Sequence, residues 1–166
     1  MADSKRDVFI VGLQNAHAME TQAREMMERQ SERLTDYPEV KSKVAAHLEE
    51  TKTQLDRLDK CLKECGETSS GLKNMAQSFM GNMAALAHAA ADDEILKNTF
   101  ANNAFENYEI AAYKSLLVLA KNAGAESCRP LLEANLREEE EMAKWISENV
   151  AKVTEAYLQR STKVAA

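Results

Sequence analysis

The sequence is poor in the residues that interrupt helices. Of its 166 residues only 5 are glycine and 2 are proline, and both types cluster near apparent element ends. With abundant Ala, Glu, Lys, Leu and Met, that scarcity predicts long helices. No strand pattern occurs, and no glycine-rich phosphate or dinucleotide loop. The chain also lacks basic excess: its net charge is −6. This argues against nucleic acid and anionic membrane surfaces as partners, since both require stripes of Lys and Arg. No apolar run approaches the ~20 residues needed to cross a bilayer. The polar start, Met1-Ala2-Asp3-Ser4-Lys5-Arg6-Asp7, does not read as a signal peptide. There are 3 cysteines, an odd number that, without a leader, predicts free thiols in a reducing, cytoplasmic compartment. Cys61 and Cys65 share a helix face but are not spaced as Cys-x-x-Cys, so a structural role is expected before a redox one.

What is present fits one domain over 1–166, with 45% hydrophobic and 29% charged residues and enough length for a sizeable core. Helical periodicity predicts a first helix over about 4–34, with Phe9, Leu13, Ala16, Glu20, Ala23, Met27 and Leu34 on one line. Thr35-Asp36-Tyr37-Pro38 breaks it, and Pro38 suits the first turn of the next helix. That helix is expected over about 38–65, with Leu48, Leu55, Leu58 and Leu62 as its stripe, His47, Glu50 and Gln54 as a polar flank, and Gly66 as its stop. Residues 66–91, rich in Met and Ala, read as a crossover with short helices around Met75, Met80 and Met83, broken at Gly81. A third helix is expected over about 92–123, with Asp92 and Asp93 as capping candidates and Gly124 as its stop. A fourth runs over about 126–159 on the line Leu132, Leu136, Glu139, Ala143, Ile146, Val150 and Tyr157. The fold class is all-α: two helical hairpins joined by a long crossover, the ferritin-like four-helix bundle.

The middle stretch Phe105-Glu106-Asn107-Tyr108-Glu109 organises the rest. At roughly 100° per residue, Glu109 lies on the line of Asn102, Tyr113, Leu116 and Ala120, with Glu106 about 60° aside. Glu20 and Glu139 are likewise central on their apolar lines, while Glu50 sits on a flank beside His47. An ionised carboxylate buried without compensation costs several kcal/mol or more. These groups are therefore protonated, reach water or surround a cation. Inward carboxylates at mid-helix build dinuclear iron or manganese sites in bundles, because two divalent cations need about four negative ligands and hard oxygens suit those metals. A single glutamate on an apolar line is ordinarily a snorkelling side chain; several at mid-helix are harder to explain that way. His17 and His47 are equally readable as structural imidazoles or as ligands. Tyr108 and Tyr113 are candidates for residues flanking a metal site, although such tyrosines commonly just pack.

Several stretches also carry a resemblance: Asn15-Ala16-His17-Ala18-Met19-Glu20, His47-Leu48-Glu49-Glu50-Thr51, Phe105-Glu106-Asn107-Tyr108-Glu109-Ile110-Ala111, Ala120-Lys121-Asn122-Ala123-Gly124 and Glu138-Glu139. In this order, along nearly the whole chain, they resemble the YciE/YciF-type ferritin-like proteins, the YciE branch most closely. The resemblance implies a bacterial cytoplasmic, stress-associated bundle that dimerises. Through the wider superfamily, of which rubrerythrin is an example, it implies Glu20, Glu50, Glu106, Glu109 and Glu139 as metal ligands. Two positions depart from the pattern. YciF-like members carry His after Glu-Glu-Thr, where this chain has Lys52, and Met142 stands where a Glu-x-x-His ligand is expected. His47 is the candidate replacement. The expected function is a stress-associated protein with a carboxylate-rich dinuclear iron or manganese site acting on peroxide or another oxidant. The alternative is a non-enzymatic stress protein whose carboxylates are structural and whose role is partner binding through the Met-rich crossover. Iron storage in a self-assembling shell is a third option.

Overall fold

The computed structural model describes residues 4–68 and 93–164. Helix α1 spans Lys5–Arg33. Its start is set by a capping box: the Asp7 amide donates to Ser4 Oγ at 3.1 Å, and the Ser4 amide donates to the Asp7 carboxylate at 2.9 Å. Two otherwise unsatisfied amides are thereby answered. The chain leaves α1 through a 3₁₀ turn at Leu34–Asp36, and Pro38 opens α2, Pro38–Glu64, at a position where its missing N–H costs nothing. Helix α3 spans Glu94–Ala123 and α4 spans Arg129–Val164. Asp93 precedes α3 without a side-chain capping bond. Asp92, Gly81, the three crossover methionines and His88 lie outside the described residues.

Helices α2 and α3 end alike. Glu67 N–H donates to Leu62 O and Gly66 N–H to Lys63 O; Ala125 N–H donates to Ala120 O and Gly124 N–H to Lys121 O. Each is a Schellman closure, which needs a left-handed residue, and Gly66 and Gly124 supply φ of 79° and 72°.

The helices pack in the cyclic order α1, α2, α4, α3, so the α1–α4 and α2–α3 diagonals cross the interior. Phe9, Leu13, Leu58, Leu62, Phe105, Leu116 and Leu132 form the core with Met27, Leu34 and Val153. Each fully buried side chain of this kind contributes about 1.5–3 kcal/mol. The first and third helices bury the lines expected of them. The other two differ. On α2 the flank turns inward: His47 and Gln54 are fully buried while Leu48 is only half-buried. On α4 the inward line is Leu132, Asn135, Glu139, Met142, Ile146 and Val153, with Leu136, Ala143, Val150 and Tyr157 half-buried. In both cases the bundle buries polar side chains that find partners inside, so the apolar stripe alone does not mark the inward face. Helix α4 also continues past the expected end to Val164. No described helix is long and apolar enough to cross a membrane.

The Schellman closures generate a direct test. A Cβ added at Gly124 meets nothing within 4 Å, so Gly124→Ala registers only the left-handed backbone. A loss of about 1–2 kcal/mol is expected, read as a lower urea midpoint at unchanged slope.

Candidate metal centre

Midway along the bundle the four helices turn polar side chains toward one another. Glu20 comes from α1; His47, Thr51 and Gln54 from α2; Glu106, Glu109 and Tyr113 from α3; Asn135 and Glu139 from α4. All are buried, and Glu20, Glu139 and Gln54 are 0% exposed. This is regular helical placement: 47, 51 and 54, like 106, 109 and 113, step along one face of their helices.

His47 is the hub. Its Nδ1 lies 2.8 Å from Glu50 Oε2. Its Nε2, on the opposite side of the ring, lies 3.4 Å from Glu106 Oε2 and 3.3 Å from Glu139 Oε2. The other Glu139 oxygen accepts from Gln54 Nε2 at 2.5 Å. Tyr113 donates to Glu20 Oε1 at 2.6 Å and accepts from Asn135 Nδ2 at 2.9 Å. Asn135 Oδ1 in turn accepts from Arg57 at 2.9 Å. The same guanidinium grips Glu138 through two bonds of 2.6 and 2.9 Å, which holds that carboxylate beside the site rather than in it. Thr51 returns its hydroxyl proton to the His47 carbonyl at 3.0 Å.

The electrostatics follow from burial. Desolvation first, then the Glu139 carboxylate, holds the Glu20 carboxyl well above the ordinary range. Desolvation and Glu20 do the same to Glu109. Glu106 is pushed up to about 8, chiefly by burial and against the pull of His47. Burial alone would lower the His47 imidazole, but its contacts with Glu106, Glu139 and Glu50 outweigh that and raise it to about 12. Its bond to His47 holds Glu50, which is half-exposed, below the usual carboxylate range.

In this layer four buried carboxylate oxygens lack a well-formed hydrogen bond: Glu20 Oε2 and Glu109 Oε1, and Glu106 Oε2 and Glu139 Oε2, which face His47 Nε2 across 3.4 and 3.3 Å. Acceptors of this kind are costly, and four of them from three helices in one buried layer, two of them against the His47 imidazole, form a donor set that a cation satisfies. His47, Glu106 and Glu139 each offer a ligand atom, and these atoms all lie within 4.8 Å of one another. That cluster can hold a metal ion. The donors fit a divalent metal in type as well: hard carboxylate oxygens with one imidazole.

Of the residues singled out in the sequence, Glu20, His47, Glu106, Glu109 and Glu139 share this layer. Glu50 stands on the far nitrogen of His47. Lys52 is exposed and paired with Glu49 at 2.6 Å, and Met142 is buried at 2% exposure. His17 is drawn away from the layer to Asp59, 3.3 Å distant. Tyr108 is 50% exposed and does not line the site, whereas Tyr113 does. Gln54, Asn135 and Arg57 carry the polar frame and were not singled out as site residues. Their signal was positional, because Gln54 stands two turns after His47 and Asn135 one turn before Glu139.

Comparison with known proteins gives the family and the fold. The family model described as "Domain of unknown function (DUF892)" matches residues 4–159. Protein YciF of Escherichia coli K12 is 28% identical over 144 residues, covering 80% of this chain and 82% of that protein. A crystal structure of a Xanthomonas campestris pv. campestris protein is similar with a TM-score of 0.80 and 30% identity, over 95% of this chain and 98% of the other. The crystal structure of the E. coli stress protein YciF matches with a TM-score of 0.74 at 23% identity, covering 93% of this chain and 99% of that one.

The raised carboxyls predict how stability responds to pH when metal is withheld. Between 4.5 and about 8 the unfolded chain has released the Glu106 proton while the folded chain keeps it, and Glu20 and Glu109 act in the same direction. The folded state therefore binds more protons, and stability falls as pH rises through this window, by up to about 1.4 kcal/mol per pH unit for each such group. The raised His47 extends the fall above 6.5. Urea titrations in EDTA should give a higher midpoint at pH 5.5 than at pH 8; equal midpoints would remove the buried-carboxyl account.

Proposed function

The chain belongs to the DUF892 family, and from that premise and the buried cluster we propose that it is a metal-dependent stress protein whose carboxylate-rich centre holds iron or manganese, up to two ions per chain, and reacts with peroxide or a related oxidant. The observation that carries the reading is the set of buried carboxylate oxygens in the layer of His47. His47 Nε2, Glu106 and Glu139 would hold one ion, and Glu20 and Glu109 would complete a second position beside it. Four carboxylates balance the charge of two divalent cations. A bound iron or manganese pair supplies redox chemistry at a dry, carboxylate-lined site.

The protein's own residues prepare that site. Glu50 accepts the Nδ1–H bond of His47 and so fixes the ring and its tautomer, and Nε2 would ligate once a metal displaces its proton. Gln54 orients Glu139 through one oxygen and leaves the other inward. Tyr113 does the same for Glu20. Thr51 and the apolar residues along α1 and α3 keep water from the layer, so that charge interactions there are strong. The cytoplasm, with its available divalent metals, is the expected compartment. Placement in the YciE branch rests on the sequence motifs.

We also propose a homodimer. Val8 and Val11 on α1 and Val118 on α3 are 42%, 50% and 61% exposed, and the groove between these two helices is lined by Met19, Tyr108, Ala112, Leu116 and Leu119 among others, apolar surface that a second copy would cover. Multi-angle light scattering at micromolar concentration should report twice the chain mass, and Val11→Glu should shift it toward one.

The metal reading is tested with the wild type and Glu109→Gln, each melted in EDTA and in Mn(II). Without metal the substitution removes a buried, repelled carboxylate and should raise the melting temperature at pH 8. With Mn(II) the wild type should gain stability by mass action, and the variant should gain less. Equal shifts in both conditions, or no saturable Fe(II) or Mn(II) binding tighter than millimolar, would leave the carboxylates structural and favour a partner-binding role.

A further inference from the structure

Away from the metal centre the chain carries three thiols, all free. Their spacing in sequence directs attention to Cys61 and Cys65, one turn apart on α2. The fold pairs them differently. Cys61, two turns beyond Gln54 on α2, and Cys128, the residue immediately before α4, are each 0% exposed and share the core cluster. Cys128 Sγ reaches Glu64, one turn beyond Cys61 on α2, which brings the two thiols together, and each is the foremost influence on the other's proton affinity. Cys128 Sγ also donates to Glu64 Oε2 at 3.6 Å, and Ser127 Oγ donates to the same oxygen. Glu64 and Ser127 are exposed, so the polar contacts of Cys128 lead to the surface.

We propose that Cys61 and Cys128 form a peroxide-oxidised, reversible disulfide that ties the end of α2 to the start of α4. The two thiols are differentiated by their surroundings. The Cys128 carbonyl accepts from the Leu131 and Leu132 amides, which places it at the positive end of a 36-residue helix, where a thiolate is favoured. The pairing with Cys61 lowers the Cys128 thiol further, against the opposing effects of burial and Glu64. The same pairing, with burial, pushes Cys61 up. Cys128 is thus the attacking sulfur and Cys61 the resolving one.

The chemistry balances with hydrogen peroxide or an organic hydroperoxide as oxidant. Cys128 gives its proton to Glu64 and its sulfur attacks the peroxide. An S–O bond forms, the O–O bond breaks, and the leaving oxygen takes a proton to depart as water or alcohol. Cys61 sulfur then attacks the Cys128 sulfenic acid. The S–S bond forms, the S–O bond breaks, and hydroxide leaves with the Cys61 proton as water. Two thiols are oxidised by two electrons and one peroxide is reduced. This device does not depend on the metal centre, and protein treated with EDTA is the proper sample.

The test is intact mass and peptide mapping of the reduced full chain after hydrogen peroxide and N-ethylmaleimide. Wild type should fall from three adducts to one and yield a Cys61–Cys128 cross-linked peptide that dithiothreitol removes. Cys61 and Cys65 are separable because Lys63 places them on different tryptic peptides. Cys65→Ser should form the same cross-link. Cys61→Ser should form none and should instead be trapped by dimedone at Cys128. Circular dichroism must show each sample folded, and the wild-type map decides the matter should a variant not fold. Retention of three adducts, a cross-link containing Cys65, a link between chains, or a cross-link that appears only in urea would each overturn the proposal.

Discussion

The bundle is built around a contradiction at its middle: four carboxylates and an imidazole are withdrawn from water where a helix bundle ordinarily places leucine. Glu20, Glu106, Glu109 and Glu139 cannot all be ionised there without a counter-charge. His47 is the one buried cation that the described layer offers. Protons or metal must supply the rest. Much else in the molecule can be read as accommodating that layer, from the apolar packing around it to Tyr113 and Gln54, which answer Glu20 and Glu139 from behind.

That polar frame is directional. Arg57 donates to Asn135, Asn135 to Tyr113, and Tyr113 to Glu20, so a chain of donors runs from the flank of α2 through α4 and α3 to α1. Each link crosses between helices. A slide of one helix by a single turn would break several links at once and strand buried polar groups, which costs more than an apolar mismatch of similar size. The register of the four helices is thus set by the polar layer, while Phe9, Leu13, Leu58, Leu62 and Leu132 provide the bulk of the burial energy.

The sequence made the helices legible because their boundaries carry local chemistry: Ser4 with Asp7, Pro38, Gly66 and Gly124. It made the lines of α1 and α3 legible because glutamate there interrupts otherwise apolar rows. The lines of α2 and α4 were obscured. His47, Gln54 and Asn135 are polar, and periodicity assigns polar residues outward unless a partner across the bundle is known. Such partners are tens of residues away in sequence; Gln54 and Glu139 are 85 apart. Glu50 is the instructive case. Spacing placed it next to His47, but only coordinates separate the ring nitrogen it touches from the one that faces the carboxylates. The Cys61–Cys128 pairing was hidden for the same reason.

The order of residues on α2 has a structural consequence. In Glu-x-x-His both side chains can reach inward from adjacent turns. Here His47 precedes Glu50, and the imidazole fills the inward place while Glu50 is half-exposed behind it. The carboxylate therefore acts on the histidine. Lys52 does not restore the missing imidazole, since it is exposed and held by Glu49. Met142 on α4 brings a thioether into the core where hard cations gain little. The layer is thus lopsided, with one imidazole and carboxylates from α1, α3 and α4. Such a set favours hard divalent ions over softer ones and leaves net negative charge whenever metal and protons are both scarce. Its stability and its occupancy are consequently one coupled equilibrium, governed by pH and metal together.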